Sequence, residues 1–279
     1  MMKVHNLYRY PVKSLGGQSV SSLQPEVRGF KDDRRWMFIE PYGQFISRRA
    51  VPTMCGYAAE VHADELRFVR IADGHVLGAV AGARQGSQQV DVTVWDDSLT
   101  ATLIEDEKIP AIAEALGIPG AKLVYMGPED RRPVDPRFAK PKEEVSFADG
   151  FPYLITTTAS LDDLSERVGD NLDERRFRPN IIVETDTPFA EDNWSALKIG
   201  VHNFRTPKPC ARCIMITQQP DTGERNLRVL AELSAYRKVG NKVMFGMNAC
   251  WEGGDGVITV GDEVVEPDEY RPMPDRYKR

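Results

Sequence analysis

TPKPCARCIMITQQPDTG, residues 206–223, sets Cys210 and Cys213 three positions apart, with Arg212 between them, ahead of a Pro-Asp-Thr-Gly turn. Ile214 to Thr217 continue as a β-branched run, so the stretch reads as strand leading into a turn. A thioredoxin-type dithiol asks for the pair to open a helix, whose N-terminus lowers a thiol pKa. A structural zinc site asks for four ligands, and only one C-x-x-C pair is present. Cys55 and Cys250 are isolated, and His5, His62, His75 and His202 are scattered. Beside the zinc and dithiol readings stand two others: inert buried cysteines, and a single thiolate that binds a metal.

Outward from this loop the chain is mostly short strand-like runs with turn punctuation. KVHNLYRYPV (3–12), RRWMFIE (34–40), QFISRR (44–49), LRFVRIA (66–72) and VDVTVWDD (90–97) are rich in β-formers and separated by Gly, Pro, Asp and Asn. KVMFGMNACWE (242–252) and GVITVGDEVVEP (256–267) read as strands on the other side. Helical periodicity is confined to three segments. One is EKIPAIAEALGIPG (107–120), and another is ASLDDLSERVGDNL (159–172), with Leu161, Leu164, Val168 and Leu172 on one face and Ser160 as N-cap. The third is NLRVLAELSAYR (226–237), with Leu227, Leu230 and Leu233 on one stripe. Residues 127–146, polar and proline-rich, are expected to form a long surface loop near a domain junction. The pattern of short strand-like runs favours a barrel or sandwich over a doubly wound sheet.

At 279 residues, 41% hydrophobic, the chain has room for two modest domains or one elaborate one, with a normal core. A net charge of −6 argues against nucleic acid as the main partner. No apolar run approaches the roughly 20 residues a membrane span needs, and the N-terminus lacks a secretory signal core. The expected location is the cytoplasm, with no membrane partner. Four cysteines are too few for a disulfide scaffold and are expected as thiols. Thr156, Thr157, Thr158 and Ser160 place hydroxyls at a helix N-terminus, where unpaired amides favour an anion.

Five ordered segments carry a resemblance: LYRYPVKS (7–14), DDRRWM (32–37), RFRPNIIV (176–183), PCARCIMITQQPDTG (209–223), and MFGMNA (244–249) with GVITVGDEV (256–264). Together they resemble the MOSC family, in the branch with an N-terminal MOSC β-barrel domain that includes the amidoxime-reducing components. The resemblance implies a mainly β fold with a few helices (α+β), in two β-barrel-like domains, 1–120 and 121–279, with a molybdenum–molybdopterin cofactor in the cleft between them and Cys213 as the metal's protein ligand and catalytic centre. By the same resemblance Lys13 contacts the cofactor's phosphate, Arg34 the pterin and Arg178 the cofactor, with Arg49 and Asn180 as further contacts. Thr157 and Thr158 match a polar pair at the cofactor. Loss of Lys13 or Arg34 is then expected to weaken cofactor retention and spare the fold. Arg35 and Arg48 are expected as solvated charges, Cys210 as a supporting residue, Cys55 and Cys250 as buried thiols, and Asp221 as a turn former.

The implied reaction is a two-electron removal of oxygen from N-hydroxylated small molecules: hydroxylamines, N-hydroxylated bases and amidoximes. No cysteine follows Cys250, so the C-x4-C-x2-C…C set of a plant-type ferredoxin cluster is missing. No glycine-rich nucleotide fingerprint follows a strand either. Electrons are therefore expected from a separate ferredoxin or reductase. The competing expectation is a non-enzymatic carrier, of sulfur as a Cys213 persulfide or of the molybdenum cofactor itself.

Overall fold

A ring with an odd number of strands cannot alternate direction all the way round, so one neighbouring pair must run parallel. The computed structural model, which describes residues 1–86 and 88–266, shows such a ring of seven. Tyr153–Thr157 pairs with Ile181–Glu184, followed by Met2–Arg9, Glu263–Val265, Ala196–Ile199, His202–Arg212 and Lys242–Gly253, which returns to Tyr153–Thr157. The single parallel pair is Tyr153–Thr157 with Ile181–Glu184. Parallel neighbours need a crossover, and the helix Thr158–Val168 supplies it. The barrel is filled by Leu7, Ile155, Ile181, Leu197, Phe204 and Val264, with Trp194 among them.

The first half holds two larger sheets. Gln88–Val94, Asp97–Ile104, Lys122–Tyr125 and Trp36–Ile39 form one; Tyr57–His62, Glu65–Arg70 and Val76–Ala81 form the other. Phe38, Leu66, Phe68 and Leu123 pack with Ile112 of the helix Ile109–Ala115 in a shared core. The chain is thus mainly β, with three α-helices among the described residues. Met2–Arg9 belongs to the barrel although it opens the chain. The segment after it leaves the barrel, and the backbone N–H of Lys13 donates to Trp36 O at 2.8 Å. That path carries Lys13 into the seam between the halves.

Several local expectations are corrected. Ile214–Thr217 is a turn of 3₁₀-helix, not strand: Thr217 Oγ1 donates to Ile214 O at 2.7 Å, and Ile216 turns into the core under the helices. The N-cap of the crossover helix is Thr157, whose hydroxyl accepts from Ser160 N; Ser160 lies one turn inside. On Arg228–Arg237 the buried face is Val229, Leu233 and Arg237, while Leu227 is exposed. VDVTVWDD is not one strand, because the chain turns at Trp95 with φ 57. QFISRR makes only isolated bridges. Residues 127–146 are coil as expected, but Arg132, Val134, Val145 and Ser146 are buried. Arg132 ties them down by bonding Asp97 Oδ2 at 2.8 Å and Ser146 O at 2.9 Å. Residues 267–279 lie outside the described residues, and the far end of the expected second domain with them.

Gly246 sits in the barrel strand Lys242–Gly253 at φ +74, and a Cβ there would stand 2.8 Å from Ile155 O. Gly246→Ala is therefore expected to destabilise the fold by about 1–3 kcal/mol, read as a lower denaturation midpoint; an unchanged midpoint would show that the closing pair can shift apart.

Candidate functional site

The seam between the two halves opens as a cleft. The first half contributes Lys13, Arg34, Arg48, Arg49 and Trp95; the second contributes Asp149, Arg178, Asn180, Arg212 and both loop cysteines. Cys213 ends the long strand at the mouth and is exposed, and Cys210 is half-buried. The Arg49 guanidinium reaches across from the other half to 3.5 Å from Cys213 Sγ and lies over the Trp95 ring at 5.2 Å. Arg212 bonds Cys210 Sγ at 3.0 Å and Phe177 O at 2.8 Å, so the arginine between the cysteines supports the first of them. Cys55 and Cys250 are buried away from the cleft. Burial pushes both thiols up, Cys250 to about 12, which keeps them protonated and inert.

Lys13 and Arg34 are buried cations with internal partners. Lys13 Nζ donates at 2.8 Å to both Phe147 O and Asp149 Oδ1, and burial pushes its ammonium down against the pull of Asp149. Trp95 Nε1 donates to the same carboxylate oxygen at 3.2 Å. Arg34 bonds Asp33 Oδ2 at 2.6 Å, Asn180 Oδ1 at 3.0 Å and Arg178 O at 3.1 Å. Asn180 is itself engaged, since Oδ1 also accepts from Leu154 N and Nδ2 donates to Tyr8 O. It shapes the wall more than it offers a free donor. Tyr10 is sandwiched between Arg34 and Arg178, whose guanidinium carbons lie 4.5 Å and 4.2 Å from its ring centre.

Arg48, expected at the surface, is 5% exposed and lines the cleft. Among the described residues its guanidinium has no hydrogen-bond or ion-pair partner, and Arg49, Arg176, Arg178 and Arg212 likewise lack a carboxylate. Arginines elsewhere are mostly paired, as Arg28 with Glu144, Arg175 with Asp221 and Arg237 with Asp192. Burial first, then Arg48 and Arg34, push the Arg178 guanidinium down to about 9. A guanidinium keeps its proton inside a protein, so the shift registers an unmet demand for negative charge. The Nε atoms of Arg176 and Arg212 and the Tyr10 hydroxyl are buried without partners. Arg35 is buried too, outside the cleft, where it donates to Met126 O.

Thr157 and Thr158 are not brought to the cleft. Tyr153 and Leu154 line it, and the strand then runs on at about 3.3 Å per residue, which carries Thr157 away. The Thr157 and Ser160 hydroxyls donate instead to Glu191 Oε2 at 2.8 Å and 2.9 Å. The acid at that helix N-terminus is thus the protein's own. Thr158 Oγ1 exchanges hydrogen bonds with the backbone of Thr185. Asp221 is held by Arg175 through two 2.8 Å bonds and does not line the cleft. Sequence reasoning places Arg48 at the surface, and gives no role to Trp95, Asp149 or Arg176, which also line the cleft. For Trp95 a signal existed, a large aromatic at a hairpin turn where Gly or Asn is usual; nothing in the sequence separates Arg48 from Arg35.

Two family models match this chain: the MOSC N-terminal beta barrel domain over residues 1–119 and the MOSC domain over 142–265. The chain belongs to the MOSC family. Mitochondrial amidoxime-reducing component 1 of Homo sapiens is 28% identical to it over 94% of this chain and 82% of its own length. The Mus musculus protein of the same name is 27% identical over 94% and 81%. Molybdenum cofactor sulfurase of Oryza sativa subsp. japonica is 26% identical over 85% of this chain, which spans 31% of that longer protein. In MOSC terms the cleft is shared: the N-terminal barrel domain brings Lys13, Arg34, Arg48 and Arg49, and the MOSC domain brings Cys213 and Arg178. No helix among the described residues is long and apolar enough to cross a membrane.

Proposed function

We propose that this chain holds a molybdenum–molybdopterin cofactor in the cleft and reduces N-hydroxylated compounds with electrons from a separate donor. The observation that carries this is the pairing of one exposed thiol with guanidiniums that lack counter-charge. A cofactor with a phosphate at one end and a thiophilic metal at the other complements both features. Among the described residues no group of three or more His, Cys, Asp or Glu comes together, and the exposed Cys213 is the residue that would hold the metal. The names of the human and mouse relatives support the reductase reading.

In this reading Cys213 would bind the metal, Arg178 and Lys13 would face the phosphate, and Arg34 would hold the pterin side by fixing Asn180 and the Arg178 backbone. When bound, the cofactor supplies the two-electron chemistry. The balance is R–NHOH + 2 e⁻ + 2 H⁺ → R–NH₂ + H₂O, so protons must reach the cleft. Against the effect of burial, Lys13 and Trp95 hold the Asp149 carboxyl well below the usual carboxylate range, so it stays ionised and fixes the Lys13 ammonium in the cleft wall. Arg49 brings a guanidinium to 3.5 Å from the Cys213 sulfur. We also keep the cytoplasm as the compartment, because all four cysteines are unpaired thiols.

A second reading, a carrier of sulfur or of the cofactor, draws on the sulfurase relatives and uses the same exposed thiol. A persulfide alone leaves the buried guanidiniums without a role. Electron supply separates the readings. Molybdenum-loaded protein is expected to turn over a hydroxylamine with reduced viologen and not with NADPH alone, until a ferredoxin or reductase is added. Robust turnover by the purified chain with NADPH would reveal an electron entry site within it; no turnover with viologen would favour the carrier.

A further inference from the structure

Seven cationic side chains line the cleft, and among the described residues only Lys13 and Arg34 of these have carboxylates, Asp149 and Asp33. One phosphate dianion does not close that excess. The excess also has a place. Arg48 is 5% exposed, its guanidinium has no hydrogen-bond or ion-pair partner among the described residues, and Cys55, Tyr10, Asp149 and Cys213 are near enough to act on it electrostatically. A buried charge left unpaired is among the costliest features a fold can carry. Its retention beside the reactive thiol calls for a ligand that brings the missing anion.

We propose that Arg48, together with Arg49, forms a second anion subsite for a carboxylate or phosphate group carried by the substrate, apart from Arg178, which is left to the cofactor. The subsite rests on the reductase reading for its substrate and on the geometry for its chemistry. Arg49 stands 3.5 Å from Cys213 Sγ, so an anion held by this group lies at the reacting end of the cleft. Trp95, 40% exposed beneath Arg49, adds an aromatic surface at the same end. The preferred substrates are therefore aromatic N-hydroxylated compounds that also bear a negative charge.

Arg48→Met, close in size and uncharged, tests this in two ways. In cofactor-free protein, inorganic phosphate is expected to raise the melting temperature of the wild type. The variant is expected to melt no lower than wild type without phosphate, and to respond to it less. In loaded enzyme, the ratio of kcat/KM for 4-hydroxylaminobenzoate over phenylhydroxylamine is expected to fall at least about tenfold in the variant. A variant that melts lower and responds to phosphate fully would overturn the subsite and make Arg48 a structural cation. A lost phosphate response with an unchanged substrate ratio would give the anion to the cofactor and overturn the substrate assignment. Wild-type protein inert toward both hydroxylamines, yet with an Arg48-dependent phosphate response, would retain the anion subsite while contradicting the reductase reading.

Discussion

Cys213→Ser is expected to leave the purified chain with no molybdenum above background, and with turnover reduced by more than about 100-fold. Losing a group that merely supports a metal ligand costs about 10–100-fold, and here the ligand itself is removed. A serine hydroxyl is a harder donor and stays protonated at neutral pH, so it does not replace a thiolate toward a soft centre. Cys210→Ser is the control. Its sulfur is taken up by Arg212 at 3.0 Å, and its loss is expected to leave most of the metal in place. Elemental analysis of the two variants, both with wild-type melting curves, reads the difference. Equal metal in wild type and Cys213→Ser would remove Cys213 from the metal, and the cleft's cations would then need another explanation.

Arg34→Ala is expected to cost about 3–5 kcal/mol of stability, because it strands a buried carboxylate. The Asp33 side chain is 0% exposed; Oδ2 accepts from Arg34 at 2.6 Å and Oδ1 from the Tyr10 backbone at 2.8 Å. The same change frees Asn180 and the Arg178 backbone, both of which shape the cleft. Sequence reasoning expects the loss of Arg34 to spare the fold, and the buried Asp33 reverses that. Arg34→Lys is not expected to restore full stability, since an ammonium cannot reach three acceptors in the geometry of a planar fork. Arg49→Ala, an exposed cation without a carboxylate, should by contrast stay within about 0.5 kcal/mol of wild type. Denaturant midpoints of the three variants check this, and equal midpoints for Arg34→Ala and Arg49→Ala would refute the role given to Asp33.

The β-rich character and the three helical segments are legible in the sequence, because each depends on local periodicity and turn chemistry, whereas the 3₁₀ turn Ile214–Thr217 carries the β-branched signature of a strand. Ring closure did not show, since Met2–Arg9 pairs with Ile181–Glu184 across most of the chain and no local pattern encodes that partner. Lys13, Arg34, Arg49, Arg178, Asn180 and Cys213 do line one cleft. The hydroxyls of Thr157 and Thr158 were misplaced because a helix N-terminus favours an anion whether that anion is a ligand or the neighbouring Glu191. Arg48 and Arg35 read alike as sequence. What separates them is the acceptor each finds: Met126 O for Arg35, and none among the described residues for Arg48.

The most direct measurement is the molybdenum and pterin content of wild-type protein purified from a host that makes the cofactor. The account predicts about one molybdenum and one pterin per chain, bound tightly enough to survive gel filtration. A correctly folded chain that emerges with neither, from cells whose other molybdenum proteins are loaded, would contradict it.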